Sequence, residues 1–152
     1  MENTKIIIGS DHAGFTLKEK VISLLKELKI EVEDVGAYSA DSVNYGPIAK
    51  RVAEKVAGND DWKGILICGT GIGMSIMANK VKGIRAAVVH DTFSAKATRA
   101  HNDSNILCMG ERVIGSGLAL EITKEWLAAS FDAGKHAQRI QFILDYELGK
   151  QQ

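Results

Sequence analysis

Ile65-Leu66-Ile67-Cys68-Gly69-Thr70-Gly71-Ile72-Gly73-Met74-Ser75 joins a short apolar run to a glycine-rich turn and then to residues that suit a helix. The apolar run reads as a strand buried on both faces, and the glycines mark a tight turn where backbone amides approach a small anion. A strand feeding straight into a helix is the repeating unit of a parallel sheet, so the flanking segments decide whether that unit recurs.

It recurs on both sides. Lys5–Ser10 reads as a buried strand, and Leu17, Val21, Leu24, Leu25 and Leu28 follow at three- and four-residue steps on one helical face. Glu31–Asp34 precedes a helix over Pro47–Ala57, whose proline suits a first turn because its missing N–H would be unpaired there. Gly64–Cys68 with Gly73–Lys80, Arg85–Val89 with Thr92 to about Ala100, and Ile106–Met109 with Ser116–Ala129 complete five pairs. Such alternation predicts a Rossmann-like three-layer α/β/α sandwich with a five-stranded parallel sheet, since right-handed crossovers deposit helices on both faces. Ligands of these folds bind at the carboxyl ends of the strands. A last helix over about His136–Lys150, carrying Ile140, Ile143, Leu144 and Leu148, has no strand of its own. It either closes the edge of its own sheet or reaches toward a partner subunit.

The 152 residues suit one domain spanning 1–152, with no repeat, low-complexity tract or linker. Lysine plus arginine equals aspartate plus glutamate at 19 each, so no global field draws the chain to nucleic acid or acidic lipid. No stretch approaches the roughly 20 apolar residues of a membrane span, and Met1–Lys5 lacks a signal peptide's apolar core, so a soluble cytoplasmic protein is expected. Cys68 and Cys108 form no CxxC pair and neither has a histidine at zinc-ligand spacing, which points to reduced thiols and a cytosolic setting.

Three clusters of polar residues stand at strand ends: Ser10-Asp11-His12-Ala13-Gly14, Cys68–Ser75, and His101-Asn102-Asp103 just before the fifth strand. The glycine cluster is no dinucleotide fingerprint, because Met74 occupies the third glycine position, and it lacks the Gly-Lys-Ser/Thr ending of a P-loop. A nest of backbone donors remains, suited to a phosphate or to an oxyanion formed in a reaction. Cys68 at a helix start is either inert filling or a general base, whereas Cys108 lies inside a strand and reads as filling. Asp11 is either a helix N-cap or a functional carboxylate, with His12 beside it. His101 ranks above His90 as a residue facing the mouth of the sheet. Lys135, His136 and Arg139 are either a phosphate site or a solvated helix end.

Taken together and in this order, these motifs, with Ser104-Asn105 and Gly110-Glu111-Arg112, resemble the ribose-5-phosphate isomerase B family over nearly the whole chain. That family lies within a wider group with galactose-6-phosphate isomerase subunits and allose-6-phosphate isomerase. The resemblance implies cofactor- and metal-independent interconversion of ribose 5-phosphate and ribulose 5-phosphate through a cis-enediolate. It also implies a homodimer, or a dimer of dimers, with sites shared between subunits. By analogy His101 opens the furanose ring with Asp11 handling a sugar hydroxyl, Cys68 moves a proton between C1 and C2, and Thr70 with the amides of Gly71, Ile72 and Gly73 holds the enediolate. His12, Arg112, Lys135, His136 and Arg139 surround the phosphate, Asn102 lies near the reacting oxygens, and Tyr45 and Gly69 border the sugar.

Three departures stand out. Asn44-Tyr45-Gly46-Pro47 replaces the family's Asp-Tyr-Pro, adding a residue and losing a carboxylate, which opens the choice of sugar to a tetrose, allose or galactose phosphate. Lys135 stands where the ribose enzymes often carry arginine, a point charge in place of a planar fork. Met74-Ser75-Ile76-Met77 is bulkier than in some relatives. His101-Asn102 favours the ribose type over the galactose-6-phosphate subunits, and the intact Cys68, Thr70 and His101 set disfavours a silent sugar-phosphate binder.

Overall fold

A computed structural model describes residues 3–150. Strands β1 (Lys5–Ser10), β2 (Val32–Asp34), β3 (Trp62–Cys68), β4 (Ala86–Val88) and β5 (Ile106–Gly110) form one parallel sheet in the order β2-β1-β3-β5-β4. Helices α1 (Phe15–Glu27), α4 (Thr92–Asn102) and α5 (Ser116–Ala128) pack on one face, and α2 (Tyr45–Ala57) with α3 (Ile72–Ala78) on the other. Helix α6 (Lys135–Glu147) joins neither main core and has Ile140 as its one buried residue. The expected three-layer sandwich is therefore present.

Its strands are apolar without alternation because both faces are covered. Ile6 and Ile8 enter the core under α1 and α5, while Ile7 enters the core under α2 and α3. In β3, Ile65 and Ile67 point to the first core and Leu66 and Cys68 to the second. This alternation sets the side of the sheet on which the Cys68 sulfur emerges.

Several boundaries differ from expectation for local reasons. Helix α2 starts at Tyr45 rather than Pro47, because the Asn44 side chain accepts the Gly46 N–H at 2.8 Å and caps the helix. Helix α3 stops at Ala78 rather than Lys80, where the Asn79 amide instead pairs with the Ala86 backbone at 2.8 and 2.9 Å. Helix α4 runs on to Asn102 and ends at Asp103, whose φ of +44° is left-handed. Helix α6 ends at Glu147 rather than Lys150, with Gly149 at φ +71° beyond it.

The turn after α4 is anchored from beneath. Asp103 accepts from Arg99 Nη1 at 2.9 Å and Arg85 Nη2 at 3.3 Å, and Arg99 Nη1 also donates to the Ser104 carbonyl at 2.6 Å. The buried Trp126 indole donates to Ser104 Oγ at 2.9 Å. Ser104→Ala leaves that indole N–H without an acceptor, so a loss of about 1–3 kcal/mol is expected as a lower urea midpoint. An unchanged midpoint would mean that the indole finds another partner.

Candidate active site

The mouth of the sheet is built by three neighbouring strand ends. β1 delivers Asp11, whose N–H donates to the Ile67 carbonyl at 3.2 Å and whose Oδ1 accepts from Ala13 N at 2.9 Å and Gly14 N at 3.2 Å. Asp11 is thus an N-cap of the short 3-10 turn His12–Gly14, its buried carboxylate held by two backbone donors. The turn fits only because residue 14 is glycine: a Cβ there would lie 2.4 Å from the Ile67 oxygen. His12 Nδ1 accepts the Val43 N–H at 3.3 Å, tying this turn to the segment that leads into Tyr45.

β3 delivers Cys68, which is 5% exposed. Gly71, at φ +77°, turns its N–H onto the Cys68 sulfur at 3.1 Å. That donor sits where it stabilises negative charge on sulfur. The Ile72 N–H meets Thr70 Oγ1 at 3.2 Å. Two of the three amides expected to face an oxyanion are therefore engaged within the turn, and the Gly73 N–H falls among the first-turn donors that helix geometry leaves without an intrahelical acceptor. Tyr45 lies across Gly73, with its ring carbon Cζ 2.6 Å from where a Cβ would sit. Arg112 reaches over Gly69, its Nη1 3.6 Å from the corresponding position there.

Cys108 points to the same face as Cys68 one strand away. Burial, and secondarily the neighbouring Cys68, push its thiol far up, so it stays protonated and inert, as its place inside a strand predicts.

The remaining site residues lie elsewhere. α4 runs back from the carboxyl ends of the strands, so its last turn, with His101 and Asn102, returns to the amino edge: the Asn102 carbonyl accepts from Arg85, just before β4. The expectation that His101 faces the mouth of its own sheet is thus corrected. His90, ranked lower, stands at that mouth as His12 does, its Nε2 accepting the Gly110 N–H at 3.0 Å. From Gly110 back to Ile106 is four residue steps, so the carboxyl and amino edges of the sheet lie about 13 Å apart along β5.

At the amino edge, His101 and His136 stack with ring centroids 4.4 Å apart and planes 12° from parallel. With Asn102, Arg139, Arg85 and Ile143 they line a pocket of about 590 Å³. The His136 imidazole is held below its usual range first by burial and then by the positive charges of His101, Lys135 and Arg139, with Asp132 opposing. Ligand atoms of His101, Asp132 and His136 all lie within 4.8 Å of one another, the one such metal-capable group among the described residues.

Two residues to which the sequence assigns no role support this arrangement. Lys18 is fully buried, its Nζ 2.7 Å from Asp34 Oδ1, and it ties α1 to the end of β2. Glu111 Oε1 accepts the Leu17 N–H at 2.5 Å, placing a carboxylate on the start of α1. Both are long side chains on surfaces that pattern alone assigns to solvent.

A strand-end thiol thus faces a backbone donor, with the Asp11 carboxylate and the Arg112 guanidinium delivered by the neighbouring strand ends. Residues 6–143 match the model of the Ribose/Galactose Isomerase family, and the chain belongs to that family of sugar isomerases. The Bacillus subtilis protein YwlF, named only provisionally as a sugar phosphate isomerase, is 58% identical over 144 residues, covering 94% of this chain and 97% of that one. Ribose-5-phosphate isomerase B of Escherichia coli is 46% identical over 94% of this chain and 96% of its own. D-erythrulose-4-phosphate isomerase 2 of Mycolicibacterium smegmatis is 45% identical over 94% and 97%. Among solved structures, Mycoplasma genitalium ribose-5-phosphate isomerase B with bound ribulose-5-phosphate superposes with a TM-score of 0.93 at 40% identity, covering 95% of this chain and 97% of that one.

The glycine contacts separate two kinds of constraint. Gly14→Ala drives a methyl into backbone that cannot yield and is expected to cost about 1–3 kcal/mol in urea unfolding. Gly73→Ala meets only the half-exposed Tyr45 ring and gains helix propensity, so its stability is expected within about 1 kcal/mol of the parent. Equal losses at the two positions would show that the Tyr45 ring is as fixed as the Ile67 backbone.

Proposed function

We propose that the chain interconverts ribose 5-phosphate and ribulose 5-phosphate, with Cys68 as the base and each site assembled from two copies of the chain. The observation that carries the chemistry is the Gly71 N–H aimed at the Cys68 sulfur, beside Thr70 and the first turn of α3. The sulfur takes the C2 proton of the open-chain aldose, leaving an enediolate whose charge rests on O1. The thiol, whose proton exchanges with solvent during the enediolate's lifetime, then protonates C1 while a hydroxyl proton passes from O2 to O1, completing the ketose. A positioned base contributes about 10²–10⁴ in rate and an oxyanion donor about 3 kcal/mol, enough between them for much of an isomerase's acceleration. Thr70 and the Gly73 amide carry the oxyanion, Ile72 joining them when substrate displaces its contact with the Thr70 hydroxyl. Arg112 and His12 approach the phosphate from this side.

The partner copy supplies the other half. His101 would open the furanose ring, Asp11 across the mouth handling the sugar hydroxyl, and Asn102 would steady the reacting oxygens. Lys135, His136 and Arg139 would complete the phosphate clamp. The separation of these residues from Cys68 within one chain supports this reading, because one copy cannot bring them to one substrate. Exposed apolar residues support it too: Ile72 and Ile76 on α3, and Ile143 and Tyr146 on α6, at 48–77% exposure. A symmetric dimer, alone or paired with another, would bury them while α6 reaches across. Such an enzyme, with reduced thiols and no described helix able to cross a membrane, would work in the cytoplasm.

A tetrose phosphate is the second reading, favoured by the Mycolicibacterium relative's name and by Tyr45 closing over Gly73, which shortens the mouth. In deuterium oxide, across four-, five- and six-carbon aldose phosphates, ribose 5-phosphate should show the highest kcat/KM. Cys68→Ala should abolish solvent exchange of its C2 proton while circular dichroism stays unchanged. Exchange that survives in Cys68→Ala removes the thiol as base, and a faster tetrose phosphate moves the substrate.

Mixing tests the shared site. Cys68→Ala and His101→Gln, each inactive alone, should regain about a quarter of parental activity after joint unfolding and refolding, since half the dimers are mixed and each mixed dimer has one intact site. No recovery in verified mixed dimers places both residues in one subunit's site.

A further inference from the structure

We propose that His101, Asp132 and His136 form a divalent transition-metal site that shuts the enzyme off when occupied. Two imidazoles and one carboxylate are a common donor set for such ions, and these three present ligand atoms within 4.8 Å of one another. Ligands bonded to zinc at about 2.1 Å stand about 3.4 Å apart in a tetrahedron, so the three would reach that spacing as the two rings turn out of their parallel stack to aim at the ion, with water in the fourth position.

The backbone brings the three together before any ion arrives. His101 sits in the last turn of α4. The Asp132 N–H donates to the Ala100 carbonyl at 2.9 Å, which pins the segment before α6 beside that turn. Ala133 and Gly134 both have left-handed φ, +54° and +56°, and this bend starts α6 so that the His136 ring stacks on His101 at 4.4 Å. Two ligands thus meet at their rings while the third hangs from the residue preceding the first.

An ion held there takes both imidazoles out of use. On the proposed reading, one opens the sugar ring and the other faces the phosphate, so the metal acts as an inhibitor rather than a cofactor. That consequence rests on the proposed function, whereas the binding itself does not. Asp132 has no role in the proposed reaction, so its substitution separates the two.

Zinc titrated calorimetrically into chelator-stripped protein should bind one ion per chain. Asp132→Asn, which keeps the backbone bond to Ala100, should weaken that binding about tenfold or more, and Cys68→Ser should leave it unchanged. Zinc should also inhibit the parent in competition with sugar phosphate, and Asp132→Asn should need about tenfold more zinc for the same inhibition at undiminished basal turnover. Absence of saturable uptake, an affinity within twofold of the parent in Asp132→Asn, or an equal loss in Cys68→Ser overturns the site. Binding that follows the triad without inhibition overturns the shut-off and counts against the substrate roles of His101 and His136.

Discussion

The site depends on how the Gly69–Gly71 turn is seated against the end of β5. The Glu111 N–H donates to the Cys68 carbonyl at 2.9 Å and the Arg112 N–H to the Gly69 carbonyl at 3.1 Å, so the chain leaving β5 is laced to the chain leaving β3. Contact is closest at two glycines. A Cβ on Gly110 would sit 2.7 Å from the Thr70 backbone, and one on Gly71 3.0 Å from the Met109 backbone. Gly71 also needs its left-handed φ, which glycine adopts at little cost. Once the turn is seated, its geometry leaves little choice: the Gly71 N–H faces sulfur, Arg112 lies over Gly69, and Glu111 is carried to the start of α1.

The same seating bears on the altered stretch at Asn44–Pro47. Read in sequence it is a lengthened loop with a missing carboxylate. In the fold it is the capped first turn of α2, and Asn44 does with its side-chain oxygen what an aspartate would do as a cap. The substitution therefore preserves the helix start while removing a negative charge near Tyr45. On the proposed reading a phosphate-bearing substrate would gain from that removal electrostatically, and the Tyr45 ring, in contact with Gly73, would set the length of the mouth.

Much of this was legible in the sequence, for a physical reason: a sheet covered on both faces demands apolar runs such as Ile6-Ile7-Ile8, and the crossovers demand helices between them. Cys68 was legible because strand, thiol and glycines are contiguous. His101 was misplaced because a residue just before β5 stands at that strand's amino end, opposite the mouth, whatever the polarity of its neighbours. Lys18 went unread because a lysine next to Leu17 looks like a helix's wet flank until Asp34 and the Ala37 carbonyl are found waiting for its ammonium group. Asp132 carried no pattern at all; its place comes from one backbone bond to Ala100.

The division of charge between the two groups gives the proposed assembly its logic. On the proposed reading Cys68 and Asp11 would move protons and the amides would hold the oxyanion, but only Arg112 and His12 would reach a dianionic phosphate from that side. The amino edge gathers Lys135, Arg139 and two imidazoles but has no thiol and no turn of backbone donors beside them. A substrate bound by either half alone would be positioned at one end only, and remote binding energy could not be turned into orientation at the reacting carbons. Helix α6 rests on its own chain through Ile140 and through the Glu147 carboxylate, which accepts the Gly83 N–H at 3.1 Å, while Ile143 and Tyr146 stay outward. Burying that outward face against a second copy would complete the phosphate clamp in the same event, so catalysis and assembly would be stabilised by the same contacts.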